Sequence, residues 1–298
     1  MKKIYVLLFC AIHCLGHAQG QRVFFRLTDS NFTVGAVYIP PYFDFYIDSH
    51  GREFRPESLP YVDSLINFVR SHPGLILEIG SYTDQRGGDS SNLQLSQGRA
   101  NMTKKYFTDR GASANCIVAV GYGESFPVYT QAIINGKKTE AEKEELYAAN
   151  RRTEFKILHL YPSYFSLEDS TFLPGATMVL DVTYDLGKAT LRPESYPLLD
   201  SLARYLIAHP NMKVEIGNHT DMRSSNTSCT KVSQSRAQSV ANRLIAQGVP
   251  PSQVMAVGFG ETKPIVNEKY ILGRKSKDAR EELYRINRRT EVRILSVQ

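Results

Sequence analysis

The sequence predicts two copies of a two-layer α/β domain, each with helices that cover one sheet. The first observation behind this prediction is a repeat: the tetrapeptide Arg-Pro-Glu-Ser at 55–58 returns at 192–195. The same offset then holds without a gap to the end of the chain. The second observation is that helix-type and strand-type patterns alternate within each copy. The length of 298 residues also suits two domains, each large enough to bury a core.

An amphipathic helix is predicted near the start of the main repeat in each copy. Apolar residues recur at i, i+3 and i+7, which is the spacing of one helix face. These residues are Val62, Leu65 and Val69 in copy one and Leu199, Leu202 and Leu206 in copy two. Pro73 and Pro210 end the two helices, because the residue before a proline is pushed out of the α region.

Strands and helices then alternate in a fixed order. In copy one we expect a strand at 75–82, a helix at 92–111, a strand at 117–120, a helix at 142–150 and a strand at 153–158. In copy two the first three of these fall at 213–219, 229–248 and 254–257. Thr139 and Glu142 have the spacing of a capping box at the start of the last helix.

The aromatic-rich stretch at 38–46 predicts a buried first strand, although an exposed edge is the alternative. Upstream of the Arg-Pro-Glu-Ser tetrapeptide, matching residues of the two copies lie further apart in the sequence, so copy two carries three extra residues. We place them between Gly175 and Arg192. The predicted domains are 19–160 and 161–298.

The amino end predicts a cleaved secretory signal at 1–18. Lys2 and Lys3 precede an apolar run at 4–15, which is shorter than the about 20 residues that a membrane span needs. Lipid attachment at Cys10 or Cys14 is the alternative, but bulky residues precede both cysteines. We expect the two remaining cysteines, Cys116 and Cys229, to be free, with a pair between them as the alternative.

Composition excludes several functional classes. The chain is 42% hydrophobic and 22% charged, which is ordinary for a globular protein and argues against collagen-like or disordered chains. The formal charge of +6 is spread along the sequence, so we expect no nucleic-acid partner. No spacing typical of a Ser-His-Asp or Cys-His enzyme or of a zinc site occurs, so we expect no enzyme activity, no metal and no cofactor.

Asp84 and Arg99 are the strongest candidate binding residues. Asp84 follows a predicted strand end, where ligands tend to bind in α/β folds, and Arg99 lies on the next predicted helix; Asp221 and Arg236 repeat their spacing. A carboxylate accepts an ammonium and a guanidinium fits a carboxylate, so the pair suits a zwitterion such as an amino-acid head group. The alternative is a structural ion pair, inherited by both copies from one ancestor.

Several motifs together resemble one family. They are Tyr-Thr-Asp-Gln-Arg-Gly at 82–87, Asn92, Leu-Ser-Gln-Gly-Arg-Ala at 95–100, Gly-Tyr-Gly-Glu at 121–124, Pro127 and Asn-Arg-Arg-Thr-Glu at 150–154. This ordered set resembles the OmpA-like C-terminal domains, which are periplasmic peptidoglycan-binding modules. The resemblance covers nearly all of each copy. It implies a mixed four-stranded sheet with helices packed on one face, and non-covalent binding of the diaminopimelate in the peptide stem.

The resemblance also implies roles for single residues. Asp84 would take the ligand ammonium and Arg99 its carboxylate, while Thr83, Gly87 and Asn92 would shape the loop. Arg152 would add positive charge near the ligand carboxylate, or would instead bond the last carbonyls of the preceding helix.

Copy two keeps Asp221, Arg236 and Arg289 but departs from the family pattern at two positions. Ser224 stands where the loop glycine is expected, and serine has no easy access to positive φ. Cys229 stands where asparagine is expected. We therefore expect copy one to be the better binder.

These observations predict a non-catalytic peptidoglycan-binding protein of the periplasm, with a possible outer-membrane or envelope protein partner. An alternative is a scaffold or assembly component of an envelope machine that acts mainly through protein partners. A wall-active hydrolase is a third hypothesis, but no residues in the sequence support it.

Overall fold

The computed structural model describes residues 23–29, 31–40, 43, 45, 54–223 and 225–297. The predicted signal at 1–18, Ser224, and residues 41, 42, 44 and 46 of the predicted strand at 38–46 lie outside these residues. By internal contacts the chain divides into two compact units. One comprises Met1–Leu160 and Leu272–Glu282, and the other comprises Tyr161–Ile271 and Leu283–Gln298.

The first repeat alternates strands and helices as the sequence predicts. Its elements are β1 (Val37–Tyr38), α1 (Leu59–Ser71), β2 (Leu75–Tyr82), α2 (Asp89–Thr108), β3 (Ile117–Gly123), α3 (Gln131–Asn135), α4 (Glu140–Asn150) and β4 (Thr153–Leu160). Short 3-10 turns at Pro56–Ser58 and Ala114–Cys116 precede α1 and β3. Helix α3 was not predicted, α2 begins one turn earlier than expected, and β3 continues beyond its predicted end.

The second repeat has the same order of elements. They are β5 (Thr177–Leu180), α5 (Tyr196–Ala208), β6 (Met212–His219), α6 (Asn226–Ala246), β7 (Val254–Gly260), α7 (Glu268–Leu272), α8 (Lys277–Asn287) and β8 (Thr290–Val297). Each repeat contributes one four-stranded sheet, with orders β1-β4-β2-β3 and β5-β8-β6-β7. The structure confirms the predicted fold class of two mixed-sheet α/β domains.

The strand directions determine which ends of the strands meet. β2 and β3 are parallel, with Leu77 opposite Ile117, whereas β4 is antiparallel to β2, with Phe155 opposite Ile79. The carboxyl ends of β2 and β3 and the amino end of β4 therefore lie at one edge of the sheet. β6, β7 and β8 repeat this arrangement.

The amphipathic helices bury the faces that their spacing predicts. In α1 the buried residues are Val62, Leu65, Ile66, Phe68 and Val69. They pack with β2, β3 and β4 in one apolar cluster that also contains Leu77, Ile79, Phe107, Ile117 and Phe155. The equivalent cluster of the second repeat contains Leu199, Leu202, Leu206, Val214, Ile216, Val240 and Val292. Each repeat thus has its own core.

The structure confirms the predicted capping box and shows where the two cysteines lie. The side chain of Thr139 accepts from the backbone N–H of Glu142, and the Glu142 carboxylate accepts from the Thr139 N–H, which is a complete capping box. Cys116 and Cys229 are both buried, and no disulfide joins them. Among the described residues, no helix combines the length and the apolar character needed to cross a bilayer.

Helix α2 lies directly against the backbone of β3. The side chain of Gln97 accepts from Gly121 N at 2.8 Å and donates to Ala119 O at 3.1 Å, and the hydroxyl of Ser96 accepts from Gly123 N at 2.8 Å. A Cβ at Gly121 would lie 2.6 Å from the Cα of Gln97, so only glycine fits this contact. In the second repeat, Ser233 and Gln234 make the same bonds to β7.

We expect Gly121→Ala to lower the free energy of unfolding by about 1–3 kcal/mol, because the added methyl group overlaps helix backbone that cannot move independently. Chemical denaturation of the whole chain measures this. Gly88→Ala is the matched control, since nothing lies within 4 Å of its added Cβ. Equal effects of the two substitutions would contradict the close contact.

Candidate ligand-binding site

The candidate site lies at the edge of the first sheet where β2 and β3 end and β4 begins. The loop after β2, residues 83–88, is joined to the end of β3 by a 2.8 Å hydrogen bond from Thr83 N to Gly123 O. Residues just before β4 reach the same place, because Ser81 and Thr153 are register partners. Ligands commonly bind at the carboxyl ends of parallel strands in α/β sheets.

Asn92, in the first turn of α2, holds the backbone of this loop. Its amide nitrogen lies 3.3 Å from Asp84 O, 3.2 Å from Arg86 O and 2.8 Å from a carboxylate oxygen of Glu124. Gly87 has a φ of +95°, which glycine adopts without steric cost. The loop is therefore fixed both by a buried amide and by a glycine.

Asp84 is a buried carboxylate with two arginine partners. Oδ1 accepts from Arg86 N at 3.0 Å, and Oδ2 accepts from Arg86 Nη2 and Arg151 Nη1, each at 2.7 Å. Burial raises the pKa of Asp84, but hydrogen bonds from Arg86 and Arg151 outweigh it and hold the pKa below its usual value. Asp84 is therefore ionised at neutral pH, and Oδ1 is the less occupied of its two oxygens.

The two arginines form a cluster that extends outward. Glu144 accepts from Arg86 Nη1 and from Arg151 Nη2, both at 2.8 Å. Arg86 also lies over the ring of Tyr147, at 4.3 Å from its centroid. The Arg86 side chain is 50% exposed, against 30% for Arg151. Of the two partners of Asp84, Arg86 is thus the more accessible to solvent.

Arg99 lies on α2, with 8% of its surface exposed. Its guanidinium carbon is 5.1 Å from the ring centroid of Phe45. Among the described residues, the ion pairs of Asp84 are with Arg86 and Arg151. The structural Asp84–Arg99 pair that the sequence left open as an alternative is therefore not the arrangement in the structure.

Arg152 points away from Asp84. Its Nε lies 2.7 Å from the Glu154 carboxylate, Nη1 lies 3.3 Å from Asn150 O and Nη2 lies 3.0 Å from Phe126 O. Its guanidinium also lies 3.8 Å from the ring centroid of Tyr82. Of the two neighbouring arginines, Arg151 reaches Asp84. Arg152 instead bonds the last carbonyl of α4, which is the alternative role that the sequence left open for it. It also bonds β4 and the loop after β3.

The hydroxyl of Thr83 is a polar group of this loop that the protein leaves unsatisfied. Thr83 is 5% exposed, and its Oγ1 has no hydrogen-bond partner among the described residues. A buried hydroxyl without a partner costs free energy. Thr220 Oγ1, at the equivalent place in the second repeat, is also without a partner in the described structure. Both loops thus present an unsatisfied hydroxyl beside the aspartate.

The second repeat rebuilds the aspartate cluster. Asp221 accepts from Arg223 Nη2 at 2.7 Å and from Arg288 Nη1 at 2.6 Å. Burial raises the pKa of Asp221, and hydrogen bonds from these two arginines again bring it below its usual value. Arg289, like its counterpart in the first repeat, bonds a nearby glutamate, Glu291, rather than the aspartate.

The repeats differ at the helix residue that holds the loop. The thiol of Cys229 lies 3.6 Å from Asp221 O and 3.7 Å from a carboxylate oxygen of Glu261. These acceptors correspond to two of the three that the Asn92 amide reaches in the first repeat. A thiol is a weaker donor than an amide and has one hydrogen instead of two. The loop of the second repeat is therefore held less firmly.

They differ also at the helix arginine. Arg236 donates from Nε to Lys188 O at 3.0 Å, and its guanidinium carbon lies 4.9 Å from the ring centroid of Tyr184. Burial lowers the pKa of Arg236. Lys188 and Tyr184 lie in the segment between Gly175 and Arg192, where the three extra residues of copy two were predicted. In the second repeat this segment therefore takes up one of the hydrogen-bond donors of the Arg236 guanidinium.

The role of four residues was not predicted from the sequence: Arg86, Arg151, Arg223 and Arg288. They surround the two aspartates, whereas the sequence pointed to the arginines on the helix and just before the last strand. A signal was present, because all four recur at the offset that relates the two copies. The sequence spacing alone does not show that the residues just before β4 lie close to the loop after β2.

A two-layer α/β fold with an aspartate–arginine loop at the strand ends defines a class of binding domain, and comparison with known proteins identifies the family. The sequence profile described as "OmpA family" matches residues 48–141 and 183–277. Because these two regions cover more than half of the chain, the chain belongs to the OmpA family. This confirms the resemblance that the motifs carry.

Individual relatives match over one repeat's length. Outer membrane porin F of Pseudomonas fluorescens is 37% identical over 95 residues, which are 32% of this chain and 29% of porin F. Outer membrane protein P5 of Haemophilus influenzae is 38% identical over 85 residues, which are 28% of this chain and 24% of P5. The chain thus spans less than a third of the length of these relatives.

Two solved structures are also similar over about one repeat. The peptidoglycan-associated lipoprotein from Burkholderia pseudomallei shares 26% identity, with a TM-score of 0.31, over 38% of this chain and 87% of that one. The cell wall anchor of the T6SS from Pseudomonas aeruginosa shares 27% identity, with a TM-score of 0.31, over 40% of this chain and 79% of that one.

We expect Arg151→Ala to raise the pKa of Asp84, because one of the hydrogen bonds that lower it is lost. A carboxylate with a lowered pKa stabilises the folded state above its unfolded pKa of about 3.9, and this stabilisation disappears as the pH falls through the folded pKa. Wild type should therefore be more stable than Arg151→Ala by about 1–2 kcal/mol at neutral pH, and the gap should narrow below about pH 4.

Carboxyl NMR titration and denaturation at several pH values measure both effects. Arg70→Ala, on the exposed side of α1, is the control and should leave the Asp84 titration unchanged. An Asp84 pKa that is the same in wild type and Arg151→Ala would contradict the assignment.

Proposed function

We propose that this protein binds peptidoglycan without catalysis, and that it recognises the free amino-acid end of the diaminopimelate in the peptide stem. The observation that carries the proposal is the arrangement at the end of β2. An ionised aspartate, a half-exposed arginine and an unsatisfied threonine hydroxyl lie together in a loop of an OmpA-family domain. Membership of that family supports the cell wall as the ligand.

The chemistry of this loop suits a zwitterion. An ammonium can bond Asp84 Oδ1 and the hydroxyl of Thr83, which satisfies the buried hydroxyl that has no partner in the described structure. The half-exposed Arg86 can then turn its guanidinium from Asp84 to the ligand carboxylate, while Arg151 keeps the aspartate ionised. In this mechanism the Arg86 guanidinium stays on Asp84 Oδ2 until the ligand carboxylate draws it away, while the ammonium binds at Oδ1.

Arg99 is the second candidate for the carboxylate. It lies on the same helix as Asn92, and a guanidinium donates two parallel hydrogen bonds to a carboxylate. Burial of a guanidinium next to an aromatic ring lowers its hydration and strengthens its bonds to an anion. Arg152 has a positioning role, since its bonds to Phe126 O and Glu154 tie the β3 loop to β4.

The first repeat is the better site. Its loop is held by the amide of Asn92, whose nitrogen lies near two loop carbonyls, whereas the equivalent donor in the second repeat is the weak thiol donor of Cys229. In the second repeat a ligand carboxylate would also have to compete with Lys188 O for Arg236. The second site would then act as an auxiliary that raises retention through effective concentration when both repeats reach the wall.

A location in the periplasm follows from this proposal, since the wall lies there, and the relatives' names place those proteins in the outer membrane. Association with an outer-membrane or envelope protein would then hold the chain close to the wall. The third hypothesis, a wall hydrolase, has no support from the site, whose residues suit binding of charged groups.

We expect the chain to pellet with sacculi that contain diaminopimelate, and Asp84→Ala to weaken this binding at least about tenfold, because the carboxylate that binds the ammonium is lost. Asp221→Ala should weaken it less. Co-sedimentation at several sacculus concentrations measures both. Asp63→Ala is the matched control, because Asp63 is an exposed aspartate on α1.

If wild type stays in the supernatant, wall binding is wrong as the main function and the scaffold hypothesis takes its place. If Asp221→Ala has the larger effect, the ranking of the repeats is wrong. Release of soluble muropeptides by the wild-type chain would contradict the non-catalytic assignment.

A reciprocal exchange tests the ranking directly. Cys229→Asn should strengthen binding by the second repeat in a chain that carries Asp84→Ala, since the amide restores the bonds to the loop. Asn92→Cys should weaken the first repeat and lower its stability by about 1–2 kcal/mol, because buried loop carbonyls lose a donor. Sacculus binding and denaturation measure these effects. No gain from Cys229→Asn would show that another difference limits the second site.

A further inference from the structure

Phe126 has a backbone conformation that its side chain disfavours. Its φ of 59° makes it the one non-glycine residue with positive φ among the described residues. A bulky residue in this region is an outlier, because Cβ crowds the carbonyl oxygen that follows. Such strain persists when the surrounding structure enforces it, and it concentrates at binding sites. Asparagine or glycine would fit the same turn without the strain.

The surroundings show why the backbone cannot relax. The carbonyl of Phe126 accepts from Arg152 Nη2 at 3.0 Å, and Arg152 is itself bonded to Glu154. The turn also includes a 3.1 Å bond from Ser125 N to Tyr122 O. These bonds fix the carbonyl but make no use of the side chain. Phe126 is 41% exposed, so core packing does not explain its ring.

The ring is the outer end of a row that starts beside the binding loop. Tyr82 immediately precedes Thr83, and its ring stacks on Tyr122 with centroids 4.6 Å apart and planes 4° apart. Phe126 meets Tyr122 edge-to-face at 5.9 Å. The row therefore extends from the Thr83-Asp84 loop to a solvent-exposed phenyl ring.

The second repeat has the same row with other chemistry. His219 stacks on Phe259 at 4.9 Å, and the ammonium of Lys263 lies 3.7 Å from the Phe259 centroid. Lys263 O accepts from Arg289 Nη2 at 3.1 Å, which is the bond that Phe126 O receives in the first repeat. The backbone contact is therefore the same at both positions, and the exposed group differs: a phenyl ring in one repeat and an ammonium in the other.

We propose that Phe126 is a specificity-determining ligand contact of the first repeat, against which an apolar group of the peptide next to the bound amino-acid end packs, such as an alanine methyl group. This inference rests on the proposed function of the same site. An exposed aromatic ring offers apolar area at a small entropic cost, which suits such a contact. The strained backbone keeps the ring turned outward, while the row behind it prevents the ring from folding onto the core.

The experiment uses the purified chain with Asp221→Ala, so that the first repeat carries the measured binding. Calorimetric titration is carried out with two probes: free meso-diaminopimelate, and a stem tetrapeptide in which a D-alanine follows the diaminopimelate. We expect Phe126→Asn to reduce the ratio of tetrapeptide affinity to diaminopimelate affinity about fivefold, the size of one aromatic contact. Phe126→Tyr should restore the ratio, because it keeps the ring.

Thermal unfolding separates this role from a structural one. Asparagine tolerates positive φ, so Phe126→Asn should raise the midpoint of unfolding by about 2–4 °C while it weakens tetrapeptide binding. If the Phe126 ring served only to stabilise the fold, Phe126→Asn would instead lower the midpoint of unfolding together with the affinity for both probes. That result overturns the proposal. An unchanged affinity ratio overturns it as well. If the parent chain binds neither probe, the proposed function itself is wrong, and this inference is wrong with it.

Discussion

The contact between α2 and the edge strand β3 is the constraint on which the rest of each repeat depends. Gly121 lets the helix backbone approach, and the side chains of Ser96 and Gln97 take the strand amides that an edge would leave to solvent. Because the same helix carries Asn92, this contact also sets the distance between the helix and the loop after β2. Helix α2 therefore both packs against the edge strand and holds the loop after β2. The position of that loop follows from the packing of the helix on the sheet.

This arrangement explains how a charged site persists in a largely buried place. Asp84 is nearly enclosed, and an unpaired carboxylate there would be costly. The protein resolves the conflict with Arg86 and Arg151, which keep the carboxylate ionised from two separate parts of the chain. One of these partners, Arg86, is half exposed. Under the proposed mechanism a ligand group replaces it, so the stability of the free protein and its affinity for the ligand would depend on the same carboxylate.

Much of the fold was predictable from the sequence. The i, i+3, i+7 spacing in α1 and the prolines after it identified the helix and its end, and the constant offset between the copies identified the two repeats. The candidate aspartates, with the loop glycine and asparagine, were predictable because they belong to ordered motifs. The partners of Asp84 were not, since Arg86 is a close neighbour in the same loop and Arg151 is distant in sequence. Their convergence depends on strand direction, which periodicity does not reveal.

The differences between the repeats lie at particular places. The glycine–helix contact is the same in both, with Gly258 against Gln234 as Gly121 is against Gln97. The exchange of Asn92 for Cys229 falls instead at a buried position beside the loop after β2 or β6, outside the apolar cluster of either repeat. Packing leaves no room for a side chain at the shared glycine. The position beside the loop holds an amide in one repeat and a thiol in the other, and the position before the proline holds a ring or an ammonium. The two repeats therefore keep the same helix–strand contact while the residues around the aspartate loop differ, which is the difference that the proposed ranking of the two sites uses.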